Sequence, residues 1–113
     1  MSLKRALESL PADRETSSTV RDILTMFRRH PDAWMSCRHV ANIVDRSVET
    51  SRGILAVLAE SGVLDFDSAE SKYRYEQDTL LNIEIDRFVR RVDSHAGAVQ
   101  SNVERFRQRY GSR

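Results

Sequence analysis

Cys37 is the only cysteine in the sequence and the clearest candidate for chemistry of its own. The surrounding pattern places it at the start of a helix, where a thiolate is favoured and can serve as a redox sensor. The alternative interpretation is a small, partly buried residue beside Ser36. A single cysteine forms no intrachain disulfide, which indicates a reducing compartment.

The three histidines do not form a metal site with Cys37. Cys37 and His39 are two residues apart, so a helix points them to different faces. His30 and His95 have no ligand partner at the fourth position along the chain. The sequence also lacks a glycine-rich phosphate loop, paired catalytic carboxylates and a nucleophile with an adjacent base. We therefore expect no enzyme activity, metal or cofactor, and a binding function is favoured.

The composition is that of a small single-core protein with a large polar surface. The chain has 113 residues, of which 40% are hydrophobic and 31% are charged. Its 18 Lys and Arg residues exceed its 17 Asp and Glu residues by one, which argues against nucleic-acid binding by bulk charge. Charged residues among the first ten interrupt the apolar run of a secretion signal, and no run approaches the length of a membrane span. A soluble cytoplasmic protein is expected.

The N-terminal part of the chain predicts two helices. Apolar residues at helical spacing over residues 3–10 end at Pro11, and residues 12–18 form a polar linker. Thr19 and Asp22 form a capping box for a helix that ends before Pro31.

The middle of the chain predicts two short helices followed by a β-hairpin. Residues 33–35 form an apolar bridge to Ser36, which caps a helix over residues 37–44 with Val40, Ala41 and Ile43 turned inward. Ser47 caps the next helix, which Gly62 ends. Strands then follow over residues 63–67 and 72–77, joined by a loop at 68–71. Their alternating residues are Leu64 and Phe66 in the first strand, and Tyr73 and Tyr75 in the second.

A long helix is predicted from about residue 79 to residue 110. This stretch has no proline and a single glycine, Gly97, so the alternative is a break near residues 94–97. Its apolar residues alternate at spacings of four and three, as in the seam of a coiled coil. A helix of about 32 residues spans about 48 Å, longer than so small a domain is wide. We expect a homodimer through the seam, while packing on the chain's own core is the alternative. The seam residues are Ile85, Val89, Val92, Ala96, Val99, Val103, Phe106 and Tyr110.

The helix pair and hairpin resemble a known family. The stretch CRHVANIVDRSVETSRGILAVLAESGVL, residues 37–64, is similar to the DNA-binding part of bacterial winged helix-turn-helix transcription regulators, and the resemblance covers about residues 18–77. The short hairpin resembles the arsenic-repressor-like members more than the multiple-antibiotic-resistance-like ones. The implied fold is mainly α with a small β-hairpin wing, followed by a long C-terminal dimerisation helix. Its parts are an N-terminal helix and linker at 1–16, a winged helix-turn-helix domain at 17–78 and the dimerisation helix at 79–113.

The resemblance implies a sequence-specific, dimeric regulator that binds double-stranded DNA. The helix at about residues 47–61 would enter the major groove and the wing, residues 63–77, would lie near the DNA backbone. The groove-facing residues implied are Ser47, Glu49, Thr50, Arg52 and Gly53. Among them, Arg52 is the best candidate for a bidentate contact to guanine. Backbone contacts are implied for Arg38, His39 and Arg46, and for Lys72 and Arg74 in the wing.

The distribution of charge leaves a second hypothesis open. Residues 17–78 carry 8 Lys and Arg against 10 Asp and Glu, a net charge of −2. Acidic side chains crowd the wing at Asp65, Asp67 and Glu70, where they would repel a facing phosphate. The surplus of basic residues lies in 79–113, with a net charge of +3. The alternative function is therefore a protein-interaction adaptor that contacts a partner in the transcription machinery.

Overall fold

A computed structural model describes residues 3–110, with side chains described as far as Ser94. The described chain is mainly helical and includes a small three-stranded antiparallel sheet. No helix in this part of the chain combines the length and apolar character needed to cross a membrane. In chain order the elements are α1 (Leu3–Glu8), α2 (Arg14–Arg29), β1 (Met35–Ser36), α3 (Cys37–Val44), α4 (Val48–Glu60), β2 (Leu64–Asp67), β3 (Lys72–Tyr75) and α5 (Thr79–Tyr110).

Helix α2 begins earlier than predicted. Its N-cap is Asp13, whose carboxylate accepts a hydrogen bond of 2.7 Å from the amide of Thr16. The predicted capping box at Thr19 and Asp22 is wrong, because Thr19 is fully buried inside the helix and its hydroxyl donates to the carbonyl of Glu15. Most of the predicted linker is therefore helical. The helix ends before Pro31, as predicted.

The caps of α3 and α4 are confirmed. The Oγ of Ser36 accepts a hydrogen bond from the amide of His39 at 3.2 Å. Ser47 caps α4 in the same way. Between the two helices, Asp45 has a φ of 56°, in the left-handed region that lets the chain reverse within a tight turn. Gly62, with a φ of 80°, follows the end of α4.

The sheet has the order β1-β3-β2, with a strand that the sequence did not predict. The hairpin pairs Leu64 with Tyr75 and Phe66 with Tyr73. β1 has only two residues and pairs Met35 with Tyr73. So short a strand has no periodicity to reveal it, and the sequence indicated only an apolar bridge there.

The hydrophobic core lies between the helices and the inner face of the sheet. Val40, Ala41, Tyr73 and Tyr75 are buried, as predicted. Ile43 was expected to point inward but is 51% exposed, because α3 turns Val44 to the core instead. Phe66 alternates with Leu64 as predicted, yet it is 45% exposed and packs on the ring of Tyr73 at the edge of the core.

The first turns of α5 pack against α1 and α2. Leu81, Ile85 and Phe88 are buried in the shared core. The start of the helix is fixed by Asp78, whose carboxylate accepts a hydrogen bond from the amide of Leu80 at 2.8 Å. The hydroxyl of Tyr75 donates to the side-chain oxygen of Asn82 and so ties β3 to α5.

Candidate nucleic-acid interface

Helix α4 has one buried face and one exposed face. Ile54, Leu55 and Leu58 are buried in the core. All five residues assigned to the groove-facing side are exposed, and a Cβ added at Gly53 would meet nothing within 4 Å. The exposed face is therefore open to a large ligand along the first two turns. Its residues are Ser47, Glu49, Thr50, Arg52 and Gly53.

The start of α4 is held by hydroxyl groups on this exposed face. The Oγ of Ser47 accepts a hydrogen bond from the Thr50 amide at 3.1 Å and lies 2.8 Å from Thr50 Oγ1. Glu49 lies in the first turn, where a carboxylate interacts favourably with the positive end of the helix dipole. A phosphate approaching this end of the helix would meet the dipole and the carboxylate together.

Arg38 and Arg52 are the cations of the helix pair that remain available to a ligand. Both side chains are exposed, and within residues 3–94 neither forms an ion pair or a side-chain hydrogen bond. His39 is exposed as well, and its amide is used in the cap of α3. No described residue therefore occupies the guanidinium donors of Arg38 and Arg52, which suit phosphate or base edges.

Arg46 makes several contacts within the molecule at the turn between α3 and α4. Its Nε donates to Thr19 Oγ1 at 3.1 Å, and one terminal nitrogen donates to the carbonyls of Val44 and Asp45 at 3.0 and 3.2 Å. The other terminal nitrogen lies 3.6 Å from the carboxylate of Asp22. These contacts give Arg46 a structural role in the α3–α4 turn, and its implied contact with the DNA backbone stays a prediction.

The two hairpin cations that the resemblance implies in DNA contact are paired with acidic residues of the same hairpin. Lys72 Nζ lies 3.4 Å from Glu70, and a terminal nitrogen of Arg74 lies 3.7 Å from Asp65. Asp65 faces Arg74 directly across the two strands. These ion pairs reduce the positive charge that the hairpin offers to a phosphate.

Trp34 lies beside Arg74 of the hairpin, a position that the sequence did not predict. The Arg74 guanidinium carbon lies 4.5 Å from the centroid of its ring, and Trp34 is 38% exposed. The contact joins the segment before β1 to β3. The signal that could have found it is alternation, since Trp34 precedes the buried Met35 and must point to the outer face of the sheet.

Cys37 is half-buried and its thiol donates a weak hydrogen bond to the carbonyl of Val48 at 3.5 Å. Burial raises the pKa of the nearby Tyr73 hydroxyl; Cys37 contributes to that rise, and Arg52 opposes it. This environment is that of a packing residue between α3 and α4. Among the described residues no three His, Cys, Asp or Glu side chains are grouped closely enough to hold a metal ion.

The predicted dimer seam begins inside the chain's own core. Ile85 is 1% exposed and is a core residue of the single chain, so its expected place in a dimer contact is corrected. Val89 and Val92 are half-buried against the same core. An open cleft of about 340 Å³ between α2 and α5 is lined by Ile85, Val89 and the arginines Arg28, Arg29 and Arg90, among others. The remaining seam residues have side chains outside the described part: Ala96, Val99, Val103, Phe106 and Tyr110.

Comparison with known proteins finds no matching family model, no matching curated protein and no matching solved structure.

Proposed function

We propose that this protein is a cytoplasmic, sequence-specific DNA-binding transcription regulator of the winged helix-turn-helix class that acts as a homodimer. The observation that carries the proposal is the division of α4 into a core face and an exposed face, on which Arg52 forms no ion pair or side-chain hydrogen bond with the described residues. An exposed helix of this kind fits the major groove of B-form DNA, where an arginine can contact the O6 and N7 atoms of a guanine.

The order of the elements supports this assignment. A tight turn joins α3 to α4, and an antiparallel hairpin follows directly. In the proposed complex α4 lies in the groove and the hairpin lies beside it as the wing. Arg38, at the start of α3, provides a contact to the DNA backbone.

The intramolecular contacts of Arg46, Lys72 and Arg74 limit the electrostatic contribution to the proposed DNA affinity. With Arg46 held internally and both wing cations paired, Arg38 and Arg52 are the principal cations of the helix pair available to DNA. Because Arg52 is assigned to a base, Arg38 supplies about one phosphate contact per protomer, and the logarithm of the binding constant should fall with the logarithm of the salt concentration with a slope near −1 per protomer. Affinity therefore depends on base contacts and on the second protomer.

The direct test is selection of genomic DNA fragments by the pure protein at low salt, followed by salt-titrated binding of variants. Arg52→Ala should weaken binding to the selected site about ten- to a hundredfold and relax the preference at one base pair. Arg87→Ala is the matched control, because Arg87 is also exposed and belongs to α5 rather than to α4. An equal loss on the selected and on a random duplex would contradict base contact by Arg52.

A second candidate function is a protein-interaction adaptor. It is favoured by Phe66, which is 45% exposed on β2 between two acidic residues, Asp65 and Asp67. An apolar ring flanked by carboxylates suits a basic protein surface better than DNA. Retention of no genomic fragment at low salt would contradict the first proposal and favour this one.

The homodimer is tested separately by sedimentation equilibrium at micromolar concentration. The wild type should sediment as a dimer. Val99→Lys should dissociate it, because a lysine in the predicted apolar seam leaves a charge unpaired at the contact. Val99→Ile keeps the seam apolar and should leave the dimer intact. A monomeric wild type would refute the dimer.

A further inference from the structure

A continuous chain of charged groups joins α5 to the turn between α3 and α4. On α5, the carboxylate of Asp93 accepts a hydrogen bond from Arg21 Nε at 2.8 Å. The same guanidinium contacts one oxygen of Asp22 at 2.8 Å, and the other oxygen of Asp22 lies 3.6 Å from Arg46. The hydrogen bonds from Arg21 to Asp93 and Asp22 raise the pKa of its guanidinium. This series of charged groups passes over α2 through Arg21 and Asp22.

Arg46, the last residue of this series of charged groups, holds the turn between α3 and α4. Arg46 donates to the carbonyls of Val44 and Asp45, the two residues immediately before it. Asp45 has the left-handed backbone conformation that a non-glycine residue adopts only at a cost, so the surroundings must maintain it. Ser47, the N-cap of α4, comes next along the chain. The position of the Arg46 side chain thus fixes the backbone from which α4 starts.

We propose that Arg46 is a positioning residue for α4, and that the chain from Asp93 through Arg21 and Asp22 makes this positioning depend on how α5 sits against α2. A shift of α5 is then transmitted to the helix proposed to enter DNA. The coupling within the protein stands on the described contacts alone, and only its consequence for DNA affinity rests on the proposed function.

A second ion pair between α2 and α5 provides a matched control. Arg28 lies 3.4 Å from Asp86, and the side chains of Asp86 and Asp93 are 49% and 48% exposed. Among the described residues Arg28 has no ion pair or hydrogen bond that leads on to the α3–α4 turn. Removing Asp86 therefore weakens the packing of α5 on α2 without breaking the chain that reaches Arg46.

The experiment is amide hydrogen exchange on the full chain, with the Arg46 amide, bonded to the Ala41 carbonyl, as the reporter. The reference is the Val63 amide beyond the far end of α4, bonded to the Leu58 carbonyl. Asp93→Asn should raise exchange at Arg46 about two- to fivefold relative to Val63, the range expected for one exposed ion pair. Asp86→Asn should leave this ratio unchanged.

A double-mutant cycle with Arg46→Lys completes the test. Lysine keeps a positive charge facing Asp22 but cannot hold Thr19 and both carbonyls as the planar guanidinium does. In this background Asp93→Asn should no longer change the exchange ratio, because the link to the turn is already broken. Equal ratios for Asp93→Asn and Asp86→Asn, or an Asp93→Asn effect that persists in Arg46→Lys, would overturn the proposal.

DNA binding then separates the two proposals. On a selected DNA site, Asp93→Asn should weaken binding about two- to fivefold, with no comparable loss for Asp86→Asn. A changed exchange ratio in a protein that retains no DNA would leave the positioning role intact and refute the DNA-binding function. An unchanged affinity on a bound site would refute the transmission to α4.

Discussion

The guanidinium carbon of Arg74 lies 4.5 Å from the centroid of the Trp34 ring, on the outer face of the sheet. Trp34 immediately precedes β1, and Arg74 lies on β3, the strand that pairs with β1. The contact between Trp34 and Arg74 therefore holds the segment before α3 against β3, the middle strand of the sheet. Asp65 lies across from Arg74 and neutralises part of its charge.

Arg74→Ala should consequently act on stability as well as on any nucleic-acid contact. Loss of the cation–π contact and of the Asp65 pair should lower the free energy of unfolding by about 0.5–1 kcal/mol. Urea unfolding measures this change. Arg38→Ala removes an exposed arginine that forms no ion pair among the described residues, and its effect should stay within about 0.5 kcal/mol. Equal changes for the two variants would contradict the structural role of Arg74.

The sequence predicted α3 and α4 closely because each has a serine cap directly before its apolar positions. For α2 two capping patterns compete, Asp13 with Thr16 and Thr19 with Asp22. The first allows a longer helix that buries Thr19 against Arg46, a tertiary contact that local pattern does not contain. The spacing of residues in the sequence therefore could not decide which of the two patterns begins α2.

The exposed face of α4 also followed from periodicity, since its opposite face is apolar. The place of Arg46 did not, because its partners Thr19 and Asp22 lie on α2 and approach it only once the helices pack. The ion pair between Asp65 and Arg74 of the hairpin was not predicted, although the sequence contains enough information to predict it. A four-residue loop fixes the register that brings Asp65 opposite Arg74, so strand pairing could have predicted their contact.

Ser47 links the stability of α4 to its exposed surface. Ser47→Ala removes the acceptor of the Thr50 amide and should lower the free energy of unfolding by about 1 kcal/mol. Ser47→Asp keeps a good capping oxygen and should restore most of that loss. If the proposed DNA-binding function holds, Ser47→Asp should bind a selected DNA site more weakly than Ser47→Ala, because its added carboxylate would repel the phosphates. The control for urea unfolding is Ser68→Ala in the exposed hairpin loop. Equal destabilisation by the Ser68 variant would contradict a capping role for Ser47.

Ser51 and Thr19 are buried hydroxyl residues with opposite hydrogen-bonding status. Both are fully buried, but the Oγ of Ser51 has no hydrogen-bond partner among the described residues. Thr19 Oγ1 donates to the Glu15 carbonyl and accepts from Arg46. Ser51→Ala should therefore raise the free energy of unfolding by about 1 kcal/mol, since an unpaired hydroxyl is removed and alanine favours the helix.

Thr19→Val, which keeps the shape of the side chain, should lower the free energy of unfolding by about 1–2 kcal/mol because Arg46 loses an acceptor. Thermal or urea unfolding of the two variants provides the comparison. A loss of stability in Ser51→Ala would show that its hydroxyl has a partner in solution.

Tyr75 makes stability depend on pH in the alkaline range. Burial raises the pKa of its hydroxyl from 10.0 to about 12. Between these values the unfolded chain releases the proton while the folded protein retains it. The free energy of unfolding should therefore fall as pH rises from about 10 to about 12, by about 2–3 kcal/mol in all.

Tyr75→Phe removes this titration. The variant should be less stable than the wild type at pH 8, because the hydrogen bond to Asn82 is lost. As pH rises above 10 the two stabilities should converge, since only the wild type is destabilised by ionisation of Tyr75 in the unfolded chain. The raised pKa of Tyr73 contributes a similar fall to both proteins and cancels in the difference. Urea midpoints measured at half-unit steps from pH 8 to 12 provide the test, and curves that remain parallel would show that Tyr75 ionises equally in both states.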